Sequence, residues 1–240
     1  MSETKKKKPV KQNDMVKVMR LLQFTDSAFP VGTFSFSNGL ETASFEKMVT
    51  DAATLESFAK SQAHQAAFSD GVACLHAHRA FLAGDYSRCK EVDGYLFRFK
   101  MNDEARQMST RMGKKLAELA VKLYDNDFVK EWLADINEGK SPGMYPVAQG
   151  IIFALAGISE EDLFCSHQYG VINMVLGAAL RCVKVSHYDT QQILERLSDG
   201  VMDHYEEASR LSLDDMNAFF PVLDILASLH EKGNMRMFMN

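Results

Sequence analysis

The chain has 240 residues, a net charge of −5, 46% hydrophobic and 25% charged side chains, a composition that excludes an extended disordered polymer and fits a globular protein of one large or two small domains. The acid excess argues against a nucleic-acid surface, the more so because the lysines at residues 5–8 and Lys11 already offset part of it. Cys74, Cys89, Cys165 and Cys182 are scattered without a CxxC pair, which predicts reduced thiols in a cytoplasmic protein.

The lysine tract has no apolar run behind it, so it does not read as a secretory signal. Residues 1–14 are expected to form a disordered basic tail and residues 15–240 one helical domain. A first helix leads into Phe29-Pro-Val-Gly-Thr-Phe-Ser-Phe-Ser-Asn-Gly-Leu-Glu41. Pro30 fixes its own φ, and Gly32 can take a positive φ that Thr33 or Phe34 adopts only at a cost, so an ordered non-helical corner is expected. On an extended backbone Phe34 and Phe36 point to one side, into a core or onto a partner. Gly39-Leu-Glu41 then opens the next helix, with the acid near its positive end.

Further along, Cys74-Leu-His76-Ala-His78 places three metal-capable side chains in five residues. On a helix Cys74 and His78 share a face and His76 points away. That pair could contribute to a nickel or zinc site, but no second cluster at ligand spacing follows it, and the plainer reading is a polar face of a long helix. Three-four spacing recurs at Ala105, Met108, Met112, Leu116, Leu119 and Leu123, and at Ile193, Leu194, Leu197, Val201 and Tyr205. With strand-type alternation nearly absent, the fold class is all-α, a single bundle of about eight to ten helices.

The breaker-rich stretch Asn137-Glu-Gly-Lys-Ser-Pro-Gly-Met-Tyr-Pro146 could be a domain linker but reads better as a surface loop within that bundle. The apolar segments 147–158 and 171–180 fall short of the roughly 20 residues of a membrane span and contain Gln149 and Asn173, so buried helices are expected. Ser159-Glu-Glu-Asp162 and Ser212-Leu-Asp-Asp215 read as helix N-caps. No Gly-x-Ser-x-Gly elbow and no phosphate-binding Gly-x-x-x-x-Gly-Lys-Ser/Thr occurs, so neither nucleophilic catalysis nor nucleotide hydrolysis is expected.

The corner ending at Glu41 resembles the N-terminal signature of UreF-type urease accessory proteins, departing mainly in Phe36, where that family carries His or Tyr. The likeness extends over most of the chain. Arg106, Ser109, Met112 and Gly113 match the family's Arg-x-x-Ser-x-x-Met-Gly helix. Gly113 costs about 1 kcal/mol against Ala in mid-helix, which suggests a close crossing there. Tyr145-Pro-Val-Ala-Gln-Gly150 with Gly157-Ile158 is similar to the family's His-Pro-Val-x-x-Gly followed by Gly-Ile. Arg181-Cys-Val-Lys-Val-Ser-His-Tyr-Asp-Thr-Gln191 is similar to its Arg-Leu-Val-Pro segment, with Lys184 and Thr190 replacing a Pro and a Gly. The closing His230-Glu-Lys-Gly-Asn-Met-Arg-Met-Phe-Met-Asn240 resembles the family's own ending.

The resemblance implies a non-catalytic homodimeric scaffold with no resident cofactor. It would join a UreD-type (also called UreH) accessory protein and the GTPase UreG on the urease apoprotein to promote nickel insertion, without contacting nucleic acid or membrane. Phe34, Tyr169 and Arg236 match positions of the surface that receives the GTPase, and Arg181 matches a basic position linked to control of GTP hydrolysis. The apolar tail with Met235, Met237, Phe238 and Met239 would meet the UreD-type partner. The competing readings are an all-α metal-binding or cofactor-dependent enzyme using Cys74 and His78, and a generic regulatory interaction module.

Overall fold

Side chains that cap amides decide where half of the helices begin. In the computed structural model, which describes residues 11–32, 36–217, 220–230 and 237–238, Asp51, Asp85, Asn102, Asn126, Ser159 and Ser186 each accept the amide three residues ahead. Each such cap contributes about 1 kcal/mol. The first six helices are α1 (Lys11–Thr25), α2 (Leu40–Phe45), α3 (Ala52–Ala66), α4 (Val72–Leu82), α5 (Tyr86–Phe99) and α6 (Asp103–Leu123). They are followed by α7 (Asp127–Asn137), α8 (Tyr145–Leu155), α9 (Glu160–Cys182), α10 (His187–Ser198), α11 (Val201–Ala208) and α12 (Pro221–His230). A π-helical turn, Ala67–Gly71, joins α3 to α4, and the described residues contain no strand. The all-α expectation holds, and only α2 and α11 are shorter than ten residues.

Two apolar cores share α9. In the first, α8 is buried almost all round and lies against α4, with Trp132 of α7, Phe153 of α8 and Leu163 and Phe164 of α9 fully enclosed. The second gathers Leu40 and Ala43 of α2, Leu55 and Phe58 of α3, Val175 and Leu176 of α9, Ile193 of α10, Leu226 of α12 and, from the C-terminal segment, Phe238. By length and composition α9 could cross a membrane, but 56% of its apolar window is buried inside the protein, as befits the helix that both cores pack upon.

The breaker-rich loop is tied down from within. Asp93 on α5 is completely buried and accepts Ser141 Oγ at 2.5 Å, the Gly143 amide at 2.8 Å and the Met144 amide at 2.7 Å. Trp132 Nε1 donates to Ser141 Oγ at 3.2 Å, extending the network into the core. Burial pushes the Asp93 carboxyl up, and these donors pull against it. The loop expected at the surface is exposed only at residues 137–140, and its second half is buried against α5. Gly32 does take a positive φ, 89°.

Two local expectations are revised, and one bend is accounted for. The apolar stripe from Ile193 to Tyr205 is divided between α10 and α11 by Asp199 and Gly200. Ser212 caps no helix: its amide and hydroxyl both bond the Asp215 carboxylate, closing a turn, and the Asn217 amide donates to the Phe68 carbonyl 3.2 Å away. That bond uses a carbonyl in the π-helical turn, and the next helix waits until Pro221, a residue suited to a first helical turn. The bend after α9, which lacks the family's Pro and Gly, is made by Ser186 and Asp189, whose reciprocal capping box starts α10.

Candidate functional site

The sequence places Tyr169, Asn173, Gly177 and Arg181 at four-residue steps, so α9 presents them along one face, about 18 Å from first to last. All four line a cavity of about 300 Å3 enclosed with α1, α3, α6, α8 and α12. Tyr169 is 39% exposed at its rim, and Arg181, also exposed, sits on the last turn of α9, where a cation complements the helix dipole. The fold thus brings two of the expected partner-binding residues to one face. Phe34 and Arg236 lie outside the described residues.

Phe238 joins Arg181 from the other side. Its ring centroid lies 4.1 Å from the Arg181 guanidinium carbon, and it is only 4% exposed, so its own chain covers it. Next to it, Met237 is 59% exposed. Helices α2 and α12 add further uncovered apolar side chains, with Phe45 82%, Val222 50% and Ile225 56% exposed. Exposed apolar side chains of this kind are available to a partner protein.

The cavity is lined mainly by apolar surface but holds a cluster of polar side chains, which the sequence reading missed. Lys100 Nζ meets Asp70 Oδ2 at 2.7 Å and Asn102 Nδ2 donates to Asp224 Oδ1 at 3.0 Å. His167 Nδ1 lies 2.8 Å from Gln149 Oε1. Asp70 is carried inward by the π-helical turn, which fits because Gly71 leaves room for the Phe164 ring: a Cβ there would sit 2.6 Å from it. Among the described residues Gln65 Oε1, Asp70 Oδ1, Ser166 Oγ and His167 Nε2 have no hydrogen-bond partner, so this part of the chamber suits ordered water. The signal was present as Gln65, Ser69 and Asp70 interrupting an apolar run, but only burial gives those residues meaning.

His167 carries a pH prediction. Burial holds its imidazole down to about 4, with Asp70 opposing and Lys100 reinforcing the shift, whereas an unfolded histidine titrates near 6.5. The stability that comes with the neutral ring is complete above pH 6.5 and is lost as the pH falls from there towards 4, by about 3 kcal/mol in total. Urea unfolding of wild type should therefore weaken between pH 6.5 and 4 by that much more than unfolding of His167→Gln. Parallel pH profiles for the two proteins would contradict it.

The Cys74 and His78 face does not open to a ligand. Cys74 is wholly buried, with its thiol pushed well up by burial, and His78 Nε2 lies 2.9 Å from the Ile158 carbonyl. His76, on the other side, contacts the Leu211 carbonyl at 2.9 Å. What read as a polar helix face is core, and among the described residues no three His, Cys, Asp or Glu side chains are grouped to hold a metal ion.

The described residues thus form an all-α bundle with a cavity along one face of α9, exposed apolar side chains on α2 and α12, and Phe238 packed against Arg181. Comparison with known proteins gives the family. Residues 49–198 match the UreF family model. The chain is 45% identical over 223 residues to "Urease accessory protein UreF 2" of Brucella canis, covering 93% of this chain and 92% of that one. It is 39% identical to "Urease accessory protein UreF" of Yersinia enterocolitica, covering 93% and 98% respectively. The chain belongs to the UreF family of urease accessory proteins, which are not enzymes.

Proposed function

We propose that the chain is a scaffold of urease maturation. It works in the cytoplasm as a homodimer, joins a UreD-type accessory protein and the GTPase UreG on the urease apoprotein, and promotes delivery of nickel, its cargo, by controlling the GTPase. The observation that carries this reading is the likeness to proteins named urease accessory protein along 93% of the chain. The geometry supports it: Tyr169 and Arg181 share one face of α9, and aromatic and arginine side chains dominate interface energetics. The UreD-type partner is assigned the apolar surface of α2, α12 and Met237.

Arg181→Ala tests the reading. The substitution gives up a cation–π contact and a helix-end charge, together about 1 kcal/mol at an exposed position, which lowers Tm by roughly 2–4 °C in a chain of this size. Urease activation in a reconstituted operon is expected to fall at least about tenfold, the equivalent of about 1.4 kcal/mol of lost coupling, while the purified variant stays folded and dimeric. Full activation by the folded variant would take Arg181 off the functional surface.

A further inference from the structure

The cavity beside α9 is larger than its unpaired polar atoms need. Its volume of about 300 Å3 is twice the roughly 150 Å3 that holds one benzene in an engineered apolar cavity, which leaves room for about ten non-hydrogen atoms. Met112, Val171, Met174 and Ala178 give it apolar walls, against which water finds few partners. Its polar side chains are gathered by the π-helical turn. A regular α-helix carries Gln65 and Asp70, five residues apart, to different sides, but with the turn at Ala67–Gly71 both line the cavity. Ser166 and His167, 7% and 4% exposed, line it from α9.

The unpaired groups share one chemistry. Gln65 Oε1 and the Asp70 carboxylate oxygen Oδ1 only accept hydrogen bonds. Gln149 Oε1 also only accepts, so its 2.8 Å contact places the His167 proton on Nδ1 and leaves Nε2 as a third unpaired acceptor. Ser166 Oγ serves either way. What the chamber calls for is a group with several N–H donors. Among the described lining residues Asp26, Asp70, Glu104 and Asp224 outnumber Lys100 and Arg181, and Lys100 already pairs with the other Asp70 oxygen at 2.7 Å, so the remaining charge favours a cation. We propose that the cavity is a binding site for a small organic cation, a primary amine whose ammonium head meets Gln65, Asp70 and His167 and whose apolar body lies along α9. An ammonium has three N–H donors for three acceptors, and the apolar body displaces water that the walls hold poorly. The ligand site stands whether or not the chain acts on a GTPase.

Phenethylamine is a probe of suitable size, with phenethyl alcohol and phenylacetate as its neutral and anionic counterparts. Calorimetry on the full chain at about pH 7, where an alkylammonium keeps its proton, should show a single amine site that binds at least tenfold tighter than the alcohol, and no phenylacetate binding. Asp70→Asn removes the carboxylate charge and leaves Lys100 without its counter-ion, so amine affinity should fall at least tenfold. Gly177→Leu is the second variant. Gly177 lines the cavity and a Cβ there meets nothing within 4 Å, so the added side chain should fill the space and abolish binding with helical circular dichroism unchanged and Tm no lower. If Asp70→Asn fails to fold, Gly177→Leu decides the location and the amine-to-alcohol ratio decides the head group. Ordered water only, seen as no amine binding by wild type at millimolar concentration, would overturn the site, and so would undiminished binding by Gly177→Leu. Equal affinity for amine and alcohol would overturn the ammonium assignment.

Discussion

Gly113→Ala is expected to cost at least about 4 kcal/mol and to leave little native protein at physiological temperature. Helix propensity by itself forecasts the opposite, since Ala is favoured over Gly in mid-helix by about 1 kcal/mol. The packing term decides the sign: a Cβ at Gly113 would lie 2.0 Å from the Gly143 carbonyl oxygen, 2.7 Å from the Met144 carbonyl carbon and 2.8 Å from the Tyr145 amide nitrogen. Every one of these is backbone, so no rotamer change relieves the clash. The start of α8 must move away from α6, and that movement pulls Gly143 and Met144 off Asp93. Thermal melts and soluble yield of the variant test this directly, and a melt within a few degrees of wild type would mean that the crossing is looser than the geometry indicates.

Asp93→Ala should rank next, with a loss of about 3–5 kcal/mol. The carboxylate is the shared acceptor for a serine hydroxyl and two amides at the entry of α8, all buried. Removing it leaves these donors without a partner in a place water does not reach, at about 1–3 kcal/mol apiece before relaxation. Asp93→Asn keeps the shape and one acceptor oxygen but turns an amide group towards donors, so an intermediate loss is expected. Urea titrations of the three proteins give the ordering, and an Asp93→Ala midpoint equal to wild type would show that the loop is held by something other than this network. The effect should spread to α8, because Trp132 and the α8 entry share that network through Ser141.

Much of the fold was legible from local patterns. Apolar spacing located α6, the Ser159 cap marked the start of α9, and the left-handed backbone at Gly32 followed from Pro30 and its neighbours. The same kind of reasoning failed at Ser212, where the sequence Ser-Leu-Asp-Asp fits a cap and a closed turn equally well. A cap also needs the amide three residues on to donate to the serine hydroxyl, as the Asp189 amide does to Ser186, whereas the Asp215 amide bonds the Ser212 carbonyl and closes a turn. Likewise Cys74 and His78 have the spacing of a ligand pair, but α8 lies against their helix so closely that a Cβ at Gly150 would be 2.4 Å from the Cys74 carbonyl.

The candidate surface divides along the same line. Period-four spacing alone puts Tyr169 and Arg181 on one side of a helix, and the corner ending at Glu41 with its companion motifs suffices to suggest the UreF family, which the comparisons bear out. Helical periodicity, capping and backbone preference depend on residues within one or two turns of each other, so the sequence by itself determined the helices, their amphipathic faces and the family. Tertiary structure decided which faces are covered. It gathered Gln65, Asp70 and His167 into the lining of one cavity, brought Phe238 to Glu41 from nearly two hundred residues away in sequence, and set its ring against Arg181. Those outcomes depend on burial by distant elements, and burial is what fixes the cost of an unpaired polar atom and the pKa of a buried histidine.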